Sequence, residues 1–223
     1  MPTYLLTNRG TPADKTLEAA RKTHNQAFAA SEALARSLGD LSHTVYVPAH
    51  HAGTTTNEIL ILDVWNSVDG LNRFLAHLRT EGQAKGQASP LFSQRDAVIW
   101  SSAEGFHNYH FQAPYGKNDR ILALVRGAVP SRAEAQAIHN DFMEKNVSKA
   151  RAAGTLSHEA YFAFTPPGKA ESLELLALDV WMDASGMAAY YDDAEWQNGF
   201  QRLFAEPPSV STWIHPVGEW AER

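Results

Sequence analysis

The sequence contains no cysteine, so a disulfide framework, a thiolate metal site and a cysteine nucleophile are all excluded. No stretch approaches the roughly 20 apolar residues of a membrane-spanning helix, and residues 1–8 are too polar for the apolar core of a signal peptide. We therefore expect a cytoplasmic protein that does not enter a membrane. The formal net charge of -6 provides no broad cationic surface for phosphate groups, so nucleic acid is not an expected partner.

Several motifs of known chemistry are also missing. The sequence has no glycine-rich dinucleotide fingerprint, no phosphate-binding G-x-x-x-x-G-K loop, no G-x-S-x-G nucleophile elbow and no H-E-x-x-H motif. These absences disfavour nucleotide-dependent enzymes and the common hydrolases. We expect no cofactor and no resident metal, and a small molecule as the binding partner.

What the sequence does contain is an internal repeat. Three segments of the first half recur in the same order in the second half: His24-Asn25 and His139-Asn140, Leu41-Ser42-His43 and Leu156-Ser157-His158, Leu62-Asp63-Val64-Trp65 and Leu178-Asp179-Val180-Trp181. The two histidines of each copy are 19 residues apart in both halves. Each copy of a repeat is one folding unit, so we expect two modules in which matched residues occupy matched positions.

Periodicity predicts the same order of elements in both modules: strand, helix, two strands of a hairpin, helix, strand. In the first module, apolar residues at intervals of three and four indicate a helix that ends near Gly39. In the second module, Ser131 and Glu134 have the spacing of a capping box, and the helix that follows is predicted to end near Gly154. A single later helix is predicted over about residues 185–204. This βαββαβ order is typical of the ferredoxin-like split motif.

The third strand of the first module is mostly apolar on both sides, from Ile59 to Val64, which indicates that both faces of its sheet are covered. We therefore predict an α+β protein of two tandem ferredoxin-like modules, whose antiparallel sheets pack face to face as an intrachain pseudo-dimeric α/β barrel. The expected assembly is this monomeric pseudo-dimer or a homodimer of it. The alternative is two modules that each pair with another molecule. The predicted boundaries are 1–106 for the first module, 107–118 for a linker and 119–223 for the second module.

The third strand of each module ends in an acidic residue, a spacer and a tryptophan, ahead of a capped helix: Asp63-Val64-Trp65-Asn66-Ser67 and Asp179-Val180-Trp181-Met182-Asp183. With this pattern and this element order, both halves resemble the dimeric α/β-barrel superfamily, and within it the antibiotic-biosynthesis-monooxygenase-like proteins. Family members commonly have Glu at the acidic position. They often carry His on the following helix, where this chain has Phe74 and Tyr190.

Four histidines are the main candidates for chemistry. His24 completes the apolar face of the first helix, and His139 lies on the apolar side of the matching helix, so both are expected to point towards the sheet. His43 and His158 begin the apolar side of a hairpin strand. A buried imidazole suits general acid–base catalysis because it titrates near neutral pH. The candidate catalytic residues are His24, His139, Asn25, Asn140, His43 and His158, and the candidate substrate-binding residues are Trp65, Trp181, Tyr46, Tyr161, Phe74 and Tyr190.

The resemblance to cofactor-free oxygenases implies one course for a reaction on an aromatic or polyketide-like substrate. A buried base removes a proton from a phenol or an activated carbon, and Asn and Trp N–H groups stabilise the resulting anion. Isomerisation, cyclisation or elimination would begin with the same step.

Other interpretations of the same residues stay open. The histidines could bond backbone groups and join helix to sheet, or the pocket could belong to a non-catalytic ligand-binding or stress-related module. A metal is a further alternative, because each copy supplies two histidines and one aspartate, provided that all three converge. The two aspartates could orient a histidine, but we favour ion pairs with arginines at the ends of the first strands. These pairs are Asp63 with Arg9 and Asp179 with Arg126.

Overall fold

The computed structural model describes residues 3–49, 57–84, 91–110 and 120–223. The chain divides into two compact units, Met1–Trp100 with Pro216–Arg223 and Ser101–His215, and we keep the term module for these two units. Residues 101–106 therefore lie in the second module and residues 216–223 in the first, unlike the predicted boundaries. The last strand of the first module continues for two residues, 101 and 102, past this boundary. Most of the predicted linker, 111–118, lies outside the described residues.

The first module has the predicted βαββαβ order. Its elements are β1 (Tyr4–Pro12), α1 (Leu17–Ser37), β2 (Asp40–Pro48), β3 (Ile59–Trp65), α2 (Val68–Ala84) and β4 (Phe92–Ser102). The strands are ordered β4-β1-β3-β2, and β3 pairs antiparallel with both β1 and β2.

The second module repeats this order with two additions. Its elements are β5 (Tyr109–His110), β6 (Ile121–Ala128), α3 (Arg132–Ala152), β7 (Thr155–Ala163), β8 (Glu174–Trp181), α4 (Ala184–Tyr191), α5 (Ala194–Gln201) and β9 (Ser209–Ile214). The strand order is β9-β6-β8-β7-β5. The single helix predicted over 185–204 is wrong, because Asp193 accepts a hydrogen bond from the Trp196 amide at 3.0 Å and starts a separate helix.

The first helix of each module ends where the sequence signal places it, and α3 also begins at its predicted cap. The Ser131 side chain caps α3 by accepting from the Glu134 amide, and Thr16 caps α1 in the same way. Both helices end just before a glycine with positive φ, +102° at Gly39 and +97° at Gly154, a conformation that favours glycine. Each helix has 21 residues. Because both helices begin and end at matched residues, His24 and His139 face the sheet at equivalent positions.

The second helical segment of each module covers a buried tryptophan at the end of the third strand. Trp65 packs with Leu6, Ala35 and Leu71, and Trp181 has the equivalent place in the second module; each is 1% exposed. Burying a tryptophan removes roughly 200 Å² from water, worth about 5 kcal/mol before entropic costs. These two layers confirm the α+β class and the two ferredoxin-like modules. No helix among the described residues combines the length and apolarity needed to span a bilayer.

Candidate active site

A histidine and an aspartate lie directly opposite each other on the hairpin strands of each module. The antiparallel registers pair His43 with Asp63 and His158 with Asp179. Directly opposed residues share a face of the sheet, with Cβ atoms about 5 Å apart. A register shift precedes the histidine at the same point of β2 and β7. The fold therefore holds a carboxylate against an imidazole twice, on the face that the helices cover.

In the first module these residues belong to a series of four hydrogen-bonded side chains. The His43 ring bonds Asp63 Oδ1 through Nδ1 at 2.5 Å and His24 through Nε2, where the Nε2–Nε2 distance is 2.9 Å. His24 Nδ1 lies 3.1 Å from Asn25 Oδ1. We call this Asn–His–His–Asp series the first relay.

The second module contains the same series, the second relay, with one extension. His139 bonds Asn140 Oδ1 at 3.1 Å and His158 Nε2 at 2.8 Å, and His158 Nδ1 lies 2.6 Å from Asp179 Oδ1. Asp179 Oδ2 accepts a further hydrogen bond of 2.7 Å from the Tyr191 hydroxyl. The Trp181 indole N–H in turn donates to that hydroxyl at 3.2 Å.

The asparagine of the first relay fixes the tautomer of its histidine. Asn25 Nδ2 donates to the Glu219 carbonyl at 2.9 Å, and Asn25 Oδ1 accepts from the Ala221 amide at 2.8 Å, so the oxygen faces His24. His24 must then donate from Nδ1. Its bare Nε2 accepts from the Nε2–H of His43.

The same bonds recur around Asn140 in the second relay. Asn140 Nδ2 donates to the Gly105 carbonyl at 2.8 Å, and its Oδ1 accepts from the His107 amide at 2.9 Å. His139 therefore also carries its proton on Nδ1 and accepts through Nε2, from His158. Each helix histidine is a neutral acceptor, and each strand histidine donates towards it.

Burial and neighbouring charges agree with this assignment. Burial lowers the pKa of His24 to about 4, and the positive charge of His43 contributes to the lowering. Burial lowers the pKa of His139 to about 3, again with a contribution from its histidine partner. Burial also disfavours a charged His43, but the hydrogen-bonded Asp63 carboxylate outweighs it and raises the pKa of His43 above its ordinary value.

A short segment covers each relay, and we call these segments straps: residues 219–223 in the first module and 105–109 in the second. In the first strap, the Trp220 ring centroid lies 5.2 Å from that of His24, and the backbones of His43 and Arg223 exchange two hydrogen bonds of 3.0 and 2.9 Å. In the second strap, the Phe106 ring lies 4.8 Å from His139. The sequence repeat gave no sign of the straps, because residues 219–223 and 105–109 share no residue type at matched positions.

The second relay borders a cavity of about 30 Å³, which has room for about two water molecules. His139, His158 and Asp179 supply its polar side, and the rest of the lining is mostly apolar and includes Phe142, Met143, Tyr190, Trp196 and Phe200. The two histidines are only 4% and 6% exposed. The imidazole pair thus lies in a small, largely apolar space.

The structure brings only some of the predicted substrate-binding residues to a relay. Trp181 and Tyr190 line the cavity of the second module. Trp65 and Phe74 pack together in the first module with ring centroids 5.3 Å apart, and the buried Trp65 indole N–H has no acceptor among the described residues.

Tyr46 and Tyr161 are not brought to a relay. Side chains alternate along a strand, so each tyrosine faces the opposite side of its strand from the neighbouring histidine. The Tyr161 hydroxyl instead donates to the carboxylate of Glu159.

The predicted ion pairs of the two aspartates are wrong. Arg9 pairs with Glu58 at 2.8 Å, and Arg126 pairs with Glu174 at 2.5 Å. The strand register explains the difference, because it places each arginine near the start of the third strand, whereas the aspartate lies near its end.

The metal interpretation is not supported by the geometry. In each relay the aspartate and the helix histidine bind opposite nitrogens of the strand histidine, so the three side chains form a line and do not converge on one point. Within the described ranges, no group of three or more His, Asp or Glu side chains is arranged to hold a metal ion.

Comparisons with known proteins show the fold. No family model matches the sequence, and no curated protein matches it. An anthrone oxidase-like protein of known structure superposes with a TM-score of 0.65 at 14% identity, covering 100% of this chain and 92% of its own. A "putative monooxygenase" from Lactobacillus acidophilus NCFM superposes with a TM-score of 0.61 at 9% identity, covering 96% and 94% of the two chains.

A mutant chlorite dismutase from Candidatus Nitrospira defluvii superposes with a TM-score of 0.55 at 11% identity, covering 95% of this chain and 91% of its own. Identities this low establish the fold alone. The chain has the ferredoxin-like fold of the dimeric α/β-barrel proteins, as its sequence predicted.

Proposed function

We propose that this protein is a small-molecule enzyme of the monooxygenase-like type that works by proton abstraction without a cofactor. The observation that carries the proposal is the opposed pair of imidazole nitrogens in the second relay. His139 Nε2 is a bare acceptor, and His158 Nε2–H is a donor, 2.8 Å apart beside a cavity. When a substrate atom lies between the two rings, His139 Nε2 can act as the base, and His158 Nε2–H can donate a hydrogen bond to the anion that forms.

The relay assigns a task to each of its members. An acidic O–H or C–H that enters between the rings transfers its proton to His139 Nε2, and the resulting anion accepts a hydrogen bond from His158. Asp179 orients the His158 ring through its hydrogen bond to Nδ1. Asn140 holds His139 in the tautomer that leaves Nε2 free to accept.

The proton transfer to His139 depends on the negative charge of the substrate anion, because the site is buried and largely apolar. Burial lowers the pKa of His139 to about 3, so the resting ring is a weak base. An anion formed within about 4 Å stabilises the imidazolium, and in a largely apolar site this attraction is stronger than in water. The site therefore favours transfer only from a substrate whose anion stays next to both rings.

The fold's neighbours support oxygenation as the subsequent step. A carbon acid such as anthrone, deprotonated at its CH₂ group, is a reductant for dioxygen: C₁₄H₁₀O + O₂ gives C₁₄H₈O₂ + H₂O, with one oxygen atom entering the quinone and the other leaving as water. A substrate of this size exceeds the cavity of about 30 Å³, so the strap over residues 105–109 or the aromatic wall must move to admit it.

A non-catalytic ligand-binding module is the second candidate. All four imidazole nitrogens of each relay already have hydrogen-bond partners, as expected of residues that join a helix to a sheet. Such a module would bind a small molecule in the same place and release it unchanged.

Oxygen uptake and quinone formation with anthrone distinguish the two candidates. The proposal predicts turnover by the wild-type protein and a loss of at least about 100-fold for His139→Gln, the range of a missing general base. Glutamine keeps a polar group at this site, so the melting temperature checks that the variant is folded. Binding of anthrone without turnover by the wild-type protein would support the binding module and contradict the enzyme.

A further inference from the structure

The two relays have the same bonds but different surroundings. The spacing of the repeat matches residues of α1 with residues of α3, and residues of the first strap with residues of the second. These matched positions differ in size, charge and hydrogen bonding, and all three differences separate the modules in the same direction.

The first difference is space beside the histidines. Phe28 in the first module lies with its ring centroid 4.9 Å from that of His43 and 6.3 Å from that of His24. The matched residue of α3 is Met143, which lines the cavity. An aromatic ring thus packs against the first pair at the position where the second module has a flexible side chain that lines the cavity. The aromatic contacts of the second pair come from its strap, through Phe106 and Tyr109.

The second difference is charge around the strand histidine of the first module. The buried carboxylate of Asp40 pairs with the Arg223 guanidinium, and the Glu222 carboxylate accepts from the Val45 amide at 2.8 Å. Burial and the nearby Asp63 charge raise the pKa of Asp40 to about 6. His43 therefore lies near three acidic side chains, Asp63, Asp40 and Glu222, whose negative charge favours its protonated form.

The matched residues of the second module are Thr155, Tyr109 and Asn108, none of which carries a charge at neutral pH. Asn108 keeps the strap contact, because its Oδ1 accepts from the Ala160 amide at 3.0 Å. The strap is thus retained in the second module, while the charged residues near His43 in the first are replaced by neutral residues.

The third difference is the support behind the aspartate. Asp179 accepts from the Tyr191 hydroxyl, which also accepts from the Trp181 indole N–H. The matched residue in α2 is Leu75, and the Trp65 indole N–H remains without an acceptor in the described part of the chain. Of the two relay aspartates, only Asp179 has hydrogen bonds to both carboxylate oxygens among the described residues, one with His158 and one with Tyr191. These two bonds hold the carboxylate, and therefore the His158 ring, in one orientation.

We propose that the second module alone carries out the proton transfer, and that Tyr191 is the positioning residue that aligns the Asp179 carboxylate with the histidine pair. The first relay is a structural copy, with the Phe28 ring packed against its histidine pair. The assignment of proton transfer rests on the proposed function. The difference in packing beside the two histidine pairs does not.

Paired substitutions test the assignment, because each module is the matched control of the other. His139→Gln is expected to lower anthrone turnover at least about 100-fold, and His24→Gln to leave it within about two-fold of wild type. Tyr191→Phe is expected to lower kcat about ten-fold with KM unchanged, and to shift the proton resonance of the His158–Asp179 hydrogen bond while the His43–Asp63 resonance stays in place. Equal losses in both histidine variants, or a Tyr191→Phe enzyme with wild-type kcat, would overturn the assignment.

A binding measurement keeps the inference testable if the protein turns over no anthrone. Phenol, a single ring, is titrated into protein labelled at histidine with ¹⁵N. The inference predicts that the signals of His139 and His158 shift and those of His24 and His43 do not. Phe28→Met should then add shifts at the first pair. Equal shifts at both pairs in the wild-type protein, or shifts at neither, would contradict it, whereas absent turnover alone counts only against the proposed enzyme.

Discussion

His158 and Asp179 lie opposite each other on neighbouring strands, with Nδ1 and Oδ1 2.6 Å apart and both residues buried. Because His158 also bonds His139 on α3, one ring links the sheet to the helix. The first module repeats this link through His43. Residues that would carry out chemistry in this fold therefore also hold its layers together, and loss of activity must be separated from loss of stability in every variant.

Removing the charge of Asp179 is expected to be costly. Asp179→Asn leaves the buried His158 ring without its carboxylate partner, and breaking a buried pair of this kind costs about 3–5 kcal/mol in the free energy of unfolding. Urea denaturation of the whole protein measures this loss of stability. The matched control is Glu174→Gln, which breaks a partly exposed pair with Arg126 and should cost about 1 kcal/mol or less. Equal costs for the two variants would show that the relay contributes no more than an exposed ion pair.

Acid is expected to destabilise the protein through the helix histidines. The pKa of His139 falls from about 6.5 in the unfolded chain to about 3 in the folded protein, so between these values the unfolded state binds a proton that the folded state excludes. The destabilisation by each such histidine is absent above about pH 6.5 and grows below it by up to about 1.4 kcal/mol per pH unit.

The comparison of wild type with His139→Gln isolates this contribution. The slope of unfolding free energy against pH, measured between about pH 4 and 6, should become shallower in the variant. His43, whose pKa is raised, acts with the opposite sign and remains in both proteins. An unchanged slope would mean that the folded protein admits a proton to His139.

The straps are expected to depend on the asparagines. Asn140→Ala removes the acceptor of the His107 amide and the donor to the Gly105 carbonyl, which should lower the local opening free energy of residues 105–109 by about 2 kcal/mol. Hydrogen exchange should then be about 30-fold faster at the His107 and Tyr109 amides. Asn25→Ala is the matched control, with its effect confined to residues 219–223. Exchange that is unchanged in both variants would show that the asparagines do not hold the straps.

The sequence predicted most of the helices and strands and the histidines of the site, but not the contacts around them. The repeat, the helix stops at Gly39 and Gly154 and the inward position of the histidines all depend on local pattern, and the structure places them as expected. The partner of each aspartate depends on strand register, which local pattern does not determine. For this reason the predicted pairing of the two aspartates with arginines is wrong. The straps come from tertiary contacts between segments far apart in sequence, and the contribution of Tyr191 depends on how α4 packs on β8. Periodicity along the sequence predicts neither of these contacts.

The protonation of the helix histidines tests the account most directly. Long-range ¹H–¹⁵N spectra of the imidazole rings, recorded from about pH 8 to pH 5, report the tautomer and charge of each ring. His24 and His139 are expected to remain neutral with the proton on Nδ1 throughout this range, each with Nε2 as the acceptor. Rings that carry the proton on Nε2, or that become charged near pH 6.5, would contradict the two relays and the chemistry proposed for the second.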